Sequence, residues 1–224
     1  MFILDHLWII LALPLLGSAV NGLLGKNWPK TAVNSVGIGS VSLSFLSVLE
    51  AIREFSKLAP SEIPVIHSYF TWIAAGPFRV DFSLLVDQLT VVMLLVVTGV
   101  GLLVHIYSMG YMAHEGGYYR FFSYLNLFVF FMLTLVLGSN LIVMFVGWEG
   151  VGLCSYLLIG FWYRDPANGA AARKAFIVTR VGDASMAIGL FWLYRDLGTL
   201  DIQQAVLLAQ QHLAPGGTTI TAIT

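Results

Sequence analysis

Residues Leu141–Trp162 read LIVMFVGWEGVGLCSYLLIGFW, with Glu149 as the lone charge in an otherwise apolar run. A helix that crosses the hydrocarbon core needs about 20 mostly apolar residues, and this run is long enough. The whole chain agrees with it. Its 224 residues are 58% hydrophobic and only 10% charged, with a mean hydropathy of +0.84. Soluble domains carry about 25% charged residues, so a soluble globular domain is excluded, and so is disorder. The formal net charge of −1 leaves no basic excess to attract nucleic acid, and the expected surroundings are the lipid bilayer. A single cysteine, Cys154, excludes an internal disulfide framework or a cysteine-based metal site and reads as a small packing residue.

Five further runs qualify as spans: Leu7–Leu24, Ala32–Ile52, Leu84–Met109, Phe121–Leu137 and Ala171–Tyr194. The first lacks the basic lead and small-residue cleavage pattern of a signal peptide and reads as a retained helix. Between the second and third lies a polar stretch, Glu54–Asp81, whose alternation over Ile66–Ile73 and Phe78–Phe82 predicts a short hairpin at the membrane surface. Gly138-Ser139-Asn140 reads as a tight turn. Leu200–Leu213, with Gln203, Gln204, Gln210 and Gln211 among aliphatics, reads as an interfacial amphipathic helix. Pro215-Gly216-Gly217 breaks it, and Thr218–Thr224 begins another apolar run. Lys26, Lys30, Arg120, Arg164, Arg173 and Lys174 fall in loops on one side, against Arg53, Lys57, Arg79 and Arg195 on the other. This bias puts the N-terminus, the hairpin and the C-terminal segment outside the cytoplasm.

Ionisable residues inside spans are costly and are functional candidates by default. Glu149 lies about 13 Å into its helix at about 1.5 Å per residue, near mid-membrane. The glycines beside it, Gly147, Gly150 and Gly152, permit either close helix approach or a water-lined pocket. A protonated Glu149 that only holds helices together is the plainer reading. Arg180 and Asp183, three apart, share a helical face and are within pairing reach, whether for function or to neutralise each other. His105 is a packing histidine or a member of a proton relay. Lys174 sits near the cytoplasmic end of its span and can snorkel to the interface. Asp87, early in its span, is either a functional charge or a solvated, cap-like residue near the interface. No dinucleotide, phosphate-loop or zinc pattern is present, and one intramembrane histidine cannot supply paired haem ligands. Buried acids and bases of this kind relay protons or accompany other transported solutes, and spacing alone does not separate those classes.

Four segments carry a family resemblance: Val97–Tyr107 (VTGVGLLVHIY), Tyr118–Val129 (YYRFFSYLNLFV), Gly147–Phe161 (GWEGVGLCSYLLIGF) and Asn168–Asp183 (NGAAARKAFIVTRVGD). The chain resembles the antiporter-like subunits of proton-pumping NADH:quinone oxidoreductase, complex I, and above all the subunit L group of bacteria. The large subunit of multisubunit cation/proton antiporters belongs to the same family. The resemblance implies an all-α, polytopic fold in which two inverted helix repeats build a proton path. Residues 1–120 would be the leading helices with an extracytoplasmic hairpin, and 121–224 the start of the first repeat. It implies that Glu149 matches the family's membrane glutamate, and that Arg180 and Asp183 match a charged pair on the following helix. Lys174 falls in that motif, but the family's principal lysine lies on a later helix. By the same resemblance the chain carries no redox centre; NADH, FMN, iron–sulfur clusters and quinone belong to other subunits of the complex. The implied partners are other membrane-arm subunits, especially the adjacent antiporter-like subunit, and the implied location is the bacterial inner membrane. Family members are much longer, so the chain is expected to be a truncated or partial sequence that does not pump alone. The alternative function is a subunit of a cation/proton antiporter.

Overall fold

The computed structural model describes residues 2–76 and 78–213. A short helix α1 (Phe2–Asp5) precedes α2 (Trp8–Leu24) and α3 (Lys30–Phe55). Next come strands β1 (Val65–Ala75) and β2 (Phe78–Val86), then α4 (Gln88–Tyr111), α5 (Tyr118–Leu137), α6 (Leu141–Ile159), α7 (Pro166–Leu197) and α8 (Ile202–Leu213). Among the described residues, helices α2 to α7 are the six that are long and apolar enough to cross a membrane. Most boundaries differ from the sequence reading by a few residues, and three of the differences are informative. Leu84–Val86 belong to β2, so the third span starts at Gln88 rather than Leu84. Apolar residues on a strand that packs on helices look the same in sequence as the start of a span. The sixth span starts at Pro166, ahead of Ala171, and the amphipathic helix starts at Ile202. The break at Pro215-Gly216-Gly217 and the run Thr218–Thr224 lie outside the described residues.

Side chains set several of these ends. Asp87 caps α4 by accepting from the Thr90 amide at 2.8 Å, Asn140 caps α6 through the Val143 amide at 3.0 Å, and Asp165 caps α7 through the Ala167 amide at 2.9 Å. Proline at the first position of α7 and Gly198 just past its end, with φ +72°, complete the pattern. Pro14 inside α2 has no N–H to offer the Ile10 carbonyl four residues earlier. Ser44 of α3 fills the gap, its Oγ donating to the Ile10 oxygen at 2.9 Å.

The hairpin is antiparallel, pairing Val65 with Val86 through to Ala75 with Phe78, with irregularities after Ser68 and Thr71. It is stitched to two loops on the same face. The Ser139 amide donates to the Ser83 carbonyl at 3.2 Å, Asn140 Nδ2 donates to the Asp81 carbonyl at 2.8 Å, and the two hydroxyls of Ser83 and Ser139 meet. In turn Leu141 donates to the Leu200 carbonyl at 2.9 Å, and Ile202 to the Ser139 carbonyl at 3.1 Å. One buried apolar cluster forms beneath this face from Leu4, Leu7, Ile10, Val48, Leu84, Leu94, Leu133 and Leu137. A second, smaller one, with Val33, Met112, Tyr118, Phe122 and Phe161, closes the opposite end.

Candidate functional site: three charges at mid-helix

Glu149 is the ninth residue of a 19-residue helix, and Arg180 and Asp183 straddle the midpoint of the 32-residue α7 beside it. The three side chains meet. Arg180 Nη1 contacts Glu149 Oε2 and lies 3.4 Å from Asp183 Oδ2, so one guanidinium bridges two carboxylates on two helices. Its Nη2 also donates to the Glu149 carbonyl at 3.2 Å, and its plane lies over the Phe176 ring at 4.4 Å. Asp183 is 5% exposed, whereas the Glu149 and Arg180 side chains are 29% and 30% exposed. Buried Arg180 Nε has no hydrogen-bond partner.

Glycine spacing in α6 explains how a carboxylate can sit at this depth beside another helix. A Cβ on Gly147 would fall 2.4 Å from the Leu135 backbone nitrogen of α5, and one on Gly150 2.1 Å from the Phe131 ring. Both glycines therefore serve close approach of α5, on one side of α6. A Cβ on Gly152 would sit 3.7 Å from Arg180 Nη2, an ordinary contact on the side that faces α7. Between the two readings of the glycines, close helix approach is the one seen at Gly147 and Gly150.

Trp148 is the member that the sequence reading passed over. Its indole Nε1 donates to Asp183 Oδ1 at 2.8 Å across the α6–α7 gap. A tryptophan next to a mid-span glutamate was the available signal, because a tryptophan N–H facing into a bundle needs an acceptor.

Two expected members stand apart. His105 is buried at 1% exposure, its Nδ1 bonded to the Gly101 carbonyl at 2.7 Å and its ring edge-on to Phe122. It borders an apolar groove of about 360 Å³ between α4 and α5, lined by Val100, Val104, Phe128 and Met132. Among the described residues no contact joins it to the three charges, so the relay reading gains no partner and the packing reading fits. Lys174 is exposed on α7, and among the described residues it forms no ion pair. It lies six residues before Arg180, about 9 Å along the axis.

Two family descriptions match the chain: "NADH-Ubiquinone oxidoreductase (complex I), chain 5 N-terminus" over residues 72–122, and "NADH:quinone oxidoreductase/Mrp antiporter, TM" over residues 138–224. The second contains Glu149, Arg180 and Asp183 together. The chain belongs to the antiporter-like subunit family. It is 47% identical over 213 residues to NADH-quinone oxidoreductase subunit L of Escherichia coli (strain K12), which covers 95% of this chain and 34% of that protein. Identity to subunit L of Pseudomonas aeruginosa is 49% over 211 residues, covering 94% and 34%. The NADH-ubiquinone oxidoreductase chain 5 of Hypocrea jecorina is 41% identical over 200 residues, covering 89% and 28%. The antiporter-like chain described here thus spans about a third of the length of the first relatives it matches. Its fold is also that of a chain in the membrane-bound sulfane sulfur reductase, an archaeal respiratory membrane complex. The TM-score is 0.73 at 18% identity, over 91% of this chain and 30% of that one. The all-α polytopic fold expected of an antiporter-like subunit is the one observed, and the chain is a multi-pass membrane protein.

Proposed function

We propose that this chain forms part of a membrane subunit of a proton-translocating NADH:quinone oxidoreductase, in which electron transfer elsewhere in the complex drives protons through buried charges. The observation that carries the proposal is the composition of the mid-helix site. Two carboxylates face one guanidinium, so the trio is electrically neutral only when it holds one proton. A desolvated site favours the neutral state, and moving the cation toward or away from a carboxylate alternately disfavours and favours a bound proton. Such a group of charges is a proton-loading site whose occupancy follows geometry.

Glu149 is the proton carrier in this reading, Arg180 the mobile cation and Asp183 its second anchor. Lys174 and His105 have subsidiary parts at most, given where they lie. Residues 1–120 act as the leading helices with the hairpin on the extracytoplasmic side, and 121–224 begin the first antiporter-like repeat. NADH, FMN, iron–sulfur clusters and quinone are assigned to other subunits, with no redox centre in this chain. The neighbouring antiporter-like subunit is the assigned membrane partner, and the bacterial inner membrane the location.

The second reading is a subunit of a cation/proton antiporter, favoured by the shared family description over residues 138–224. The named relatives at 41–49% identity, all oxidoreductase subunits, support the first reading instead. The test is Glu149→Gln in the full-length protein within the assembled complex. Protons pumped per electron should drop sharply in membrane vesicles while NADH:quinone turnover and assembly persist. An unchanged ratio would sink the proposal, and sodium-dependent exchange that ignores quinone-site inhibitors would favour the antiporter.

A further inference from the structure

The mid-helix site uses Arg180, but a second arginine at the end of the bundle opposite the hairpin has no role in it. We infer that this residue, Arg120, holds the phosphate of an anionic membrane phospholipid.

Arg120 lies in the first turn of α5 and is half-buried. Its Cζ is 5.7 Å from the centre of the Phe161 ring and 5.3 Å from that of Tyr163, both from the α6–α7 loop. Contacts between a cation and ring faces fix the guanidinium without engaging its N–H groups. A guanidinium has five such donors and no acceptor. Among the described residues they meet neither a carboxylate nor any other hydrogen-bond partner. Gly117, with φ +77°, leaves the room: a Cβ there would fall 2.6 Å from Arg120 Nη2. The positive end of the α5 dipole lies beside the same cation, and no side-chain acceptor caps that end. A clamped cation with all its donors free calls for an anion, and its planar fork matches a phosphate.

Two cavities meet at Arg120. The larger, about 390 Å³, is also bounded by Glu115, Trp162, Arg164 and Asp165, and the smaller, about 170 Å³, by Tyr124, Tyr156 and Ala172. Both acids of the larger one have donors of their own. Glu115 accepts from Trp162 Nε1 at 3.0 Å, and Asp165 caps α7. Lys30 is taken up by the Ala113 carbonyl and the Tyr118 ring. In all, Lys26, Lys30, Arg120, Arg164, Arg173 and Lys174 stand at this end against Glu115 and Asp165. That excess repels a cationic choline or free amine and favours a lipid with net negative charge.

Depth separates a lipid from a soluble anion. Arg120 is the third residue of a membrane-spanning helix, and Trp28, Tyr111, Trp162 and Tyr163 are exposed at the same end. Aromatic side chains of this kind mark the headgroup level of a bilayer. One turn deeper than Arg173, exposed Ile177 and Val178 of α7 offer apolar surface to acyl chains.

The test uses the complete complex with the full-length protein in phosphatidylcholine vesicles. Each sample carries a trace of phosphatidylglycerol or phosphatidylcholine with the same photoreactive diazirine at the top of one acyl chain, and labelled peptides are located by mass spectrometry. The phosphatidylglycerol probe should label residues 118–124 and 160–169 several-fold more than the phosphatidylcholine probe. In Arg120→Gln, which loses a charge-assisted hydrogen bond, that labelling should fall by about tenfold while labelling elsewhere on the complex persists. Equal labelling by the two probes in the unaltered complex overturns the inference, and this needs no variant to assemble. So does labelling that Arg120→Gln leaves unchanged. Displacement of the probe by inorganic phosphate, beyond that caused by chloride of matched ionic strength, would mark a site for a soluble anion and overturn the lipid assignment. None of these readouts depends on proton transfer at Glu149.

Discussion

The helices α2 to α5 and the pair α6–α7 both carry polar groups within the membrane, yet they treat them in opposite ways. In the first group the polar residues deep in the bundle are neutral and most are hydrogen-bonded, although Asn21 Oδ1 and His105 Nε2 have no partner. Asn126, fully buried, donates to the Phe122 carbonyl at 2.9 Å and accepts from Ser40 at 2.7 Å. Ser123 donates to the Ser18 carbonyl at 2.8 Å, and Asn21 to the Val33 carbonyl at 3.2 Å. Tyr118 donates to Asn34 at 2.6 Å. These bonds tie α2, α3 and α5 together through uncharged groups, which is how membrane helices hold one another when no hydrophobic drive exists between them. In α6–α7 the polar groups are charged, unequal in number and partly open. Neutral amides and hydroxyls fix a structure at small cost. Charges in the same setting cost far more and are functional candidates by default.

That contrast can be broken in several places. The largest effect is expected at Gly147, where even a methyl group must displace the α5 backbone. Gly147→Ala should cost about 2 kcal/mol or more and reduce assembled complex on native gels, a loss of structure rather than of chemistry. Next comes Asn126→Leu. It should lower stability by about 1–2 kcal/mol, read as thermal unfolding in detergent, while protons per electron stay constant for the complexes that survive. A change in that ratio would mean that the neutral bundle also takes part in transport, and the contrast would fail. Gly152→Ala places its methyl in ordinary contact with Arg180 and should change stability by no more than about 0.5 kcal/mol. Any marked effect on pumping there would show how little room the guanidinium needs to move.

The smallest effect is at the hairpin. The Thr71 hydroxyl, at 2.6 Å, holds the Asp81 carboxyl below its ordinary value, with help from Arg79. A lowered value in the folded state means that the contribution is fully present above about pH 4 and fades as the pH falls further. Asp81→Asn should flatten that acid limb and slightly lower protection at neutral pH, where the carboxylate's contribution is fully present, as hydrogen exchange of the β1–β2 ladder can report.

The spans were legible because the apolar run needed to cross a bilayer is long and carries few charges. The hairpin was legible as alternation, but its second strand was cut short where Leu84–Val86 turn fully apolar against the helices. Of the site, the Arg180–Asp183 pairing could be read, since residues three apart on a helix must share a face. Glu149 was legible as a misplaced charge. Its contact with Arg180 was not, because a pair on different helices depends on the rotation and register of both, which periodicity does not contain. The same holds for Trp148 and Asp183. It also holds for Glu54, whose carboxylate accepts from the Leu4 amide at 2.9 Å and fixes the first helix under the end of α3. Sequence patterns describe neighbours along an element. The chemistry here lies between elements.

The hydroxyl of Ser44 on the Ile10 carbonyl bears on how the chain enters the bilayer during synthesis. When α2 leaves the ribosome, the carbonyl freed by Pro14 has nothing to bind in hydrocarbon, and its donor is still some thirty residues behind. The first span is complete in length but not in hydrogen bonding until the second arrives. Docking of α3 therefore completes the hydrogen bonding of α2 as well as its packing.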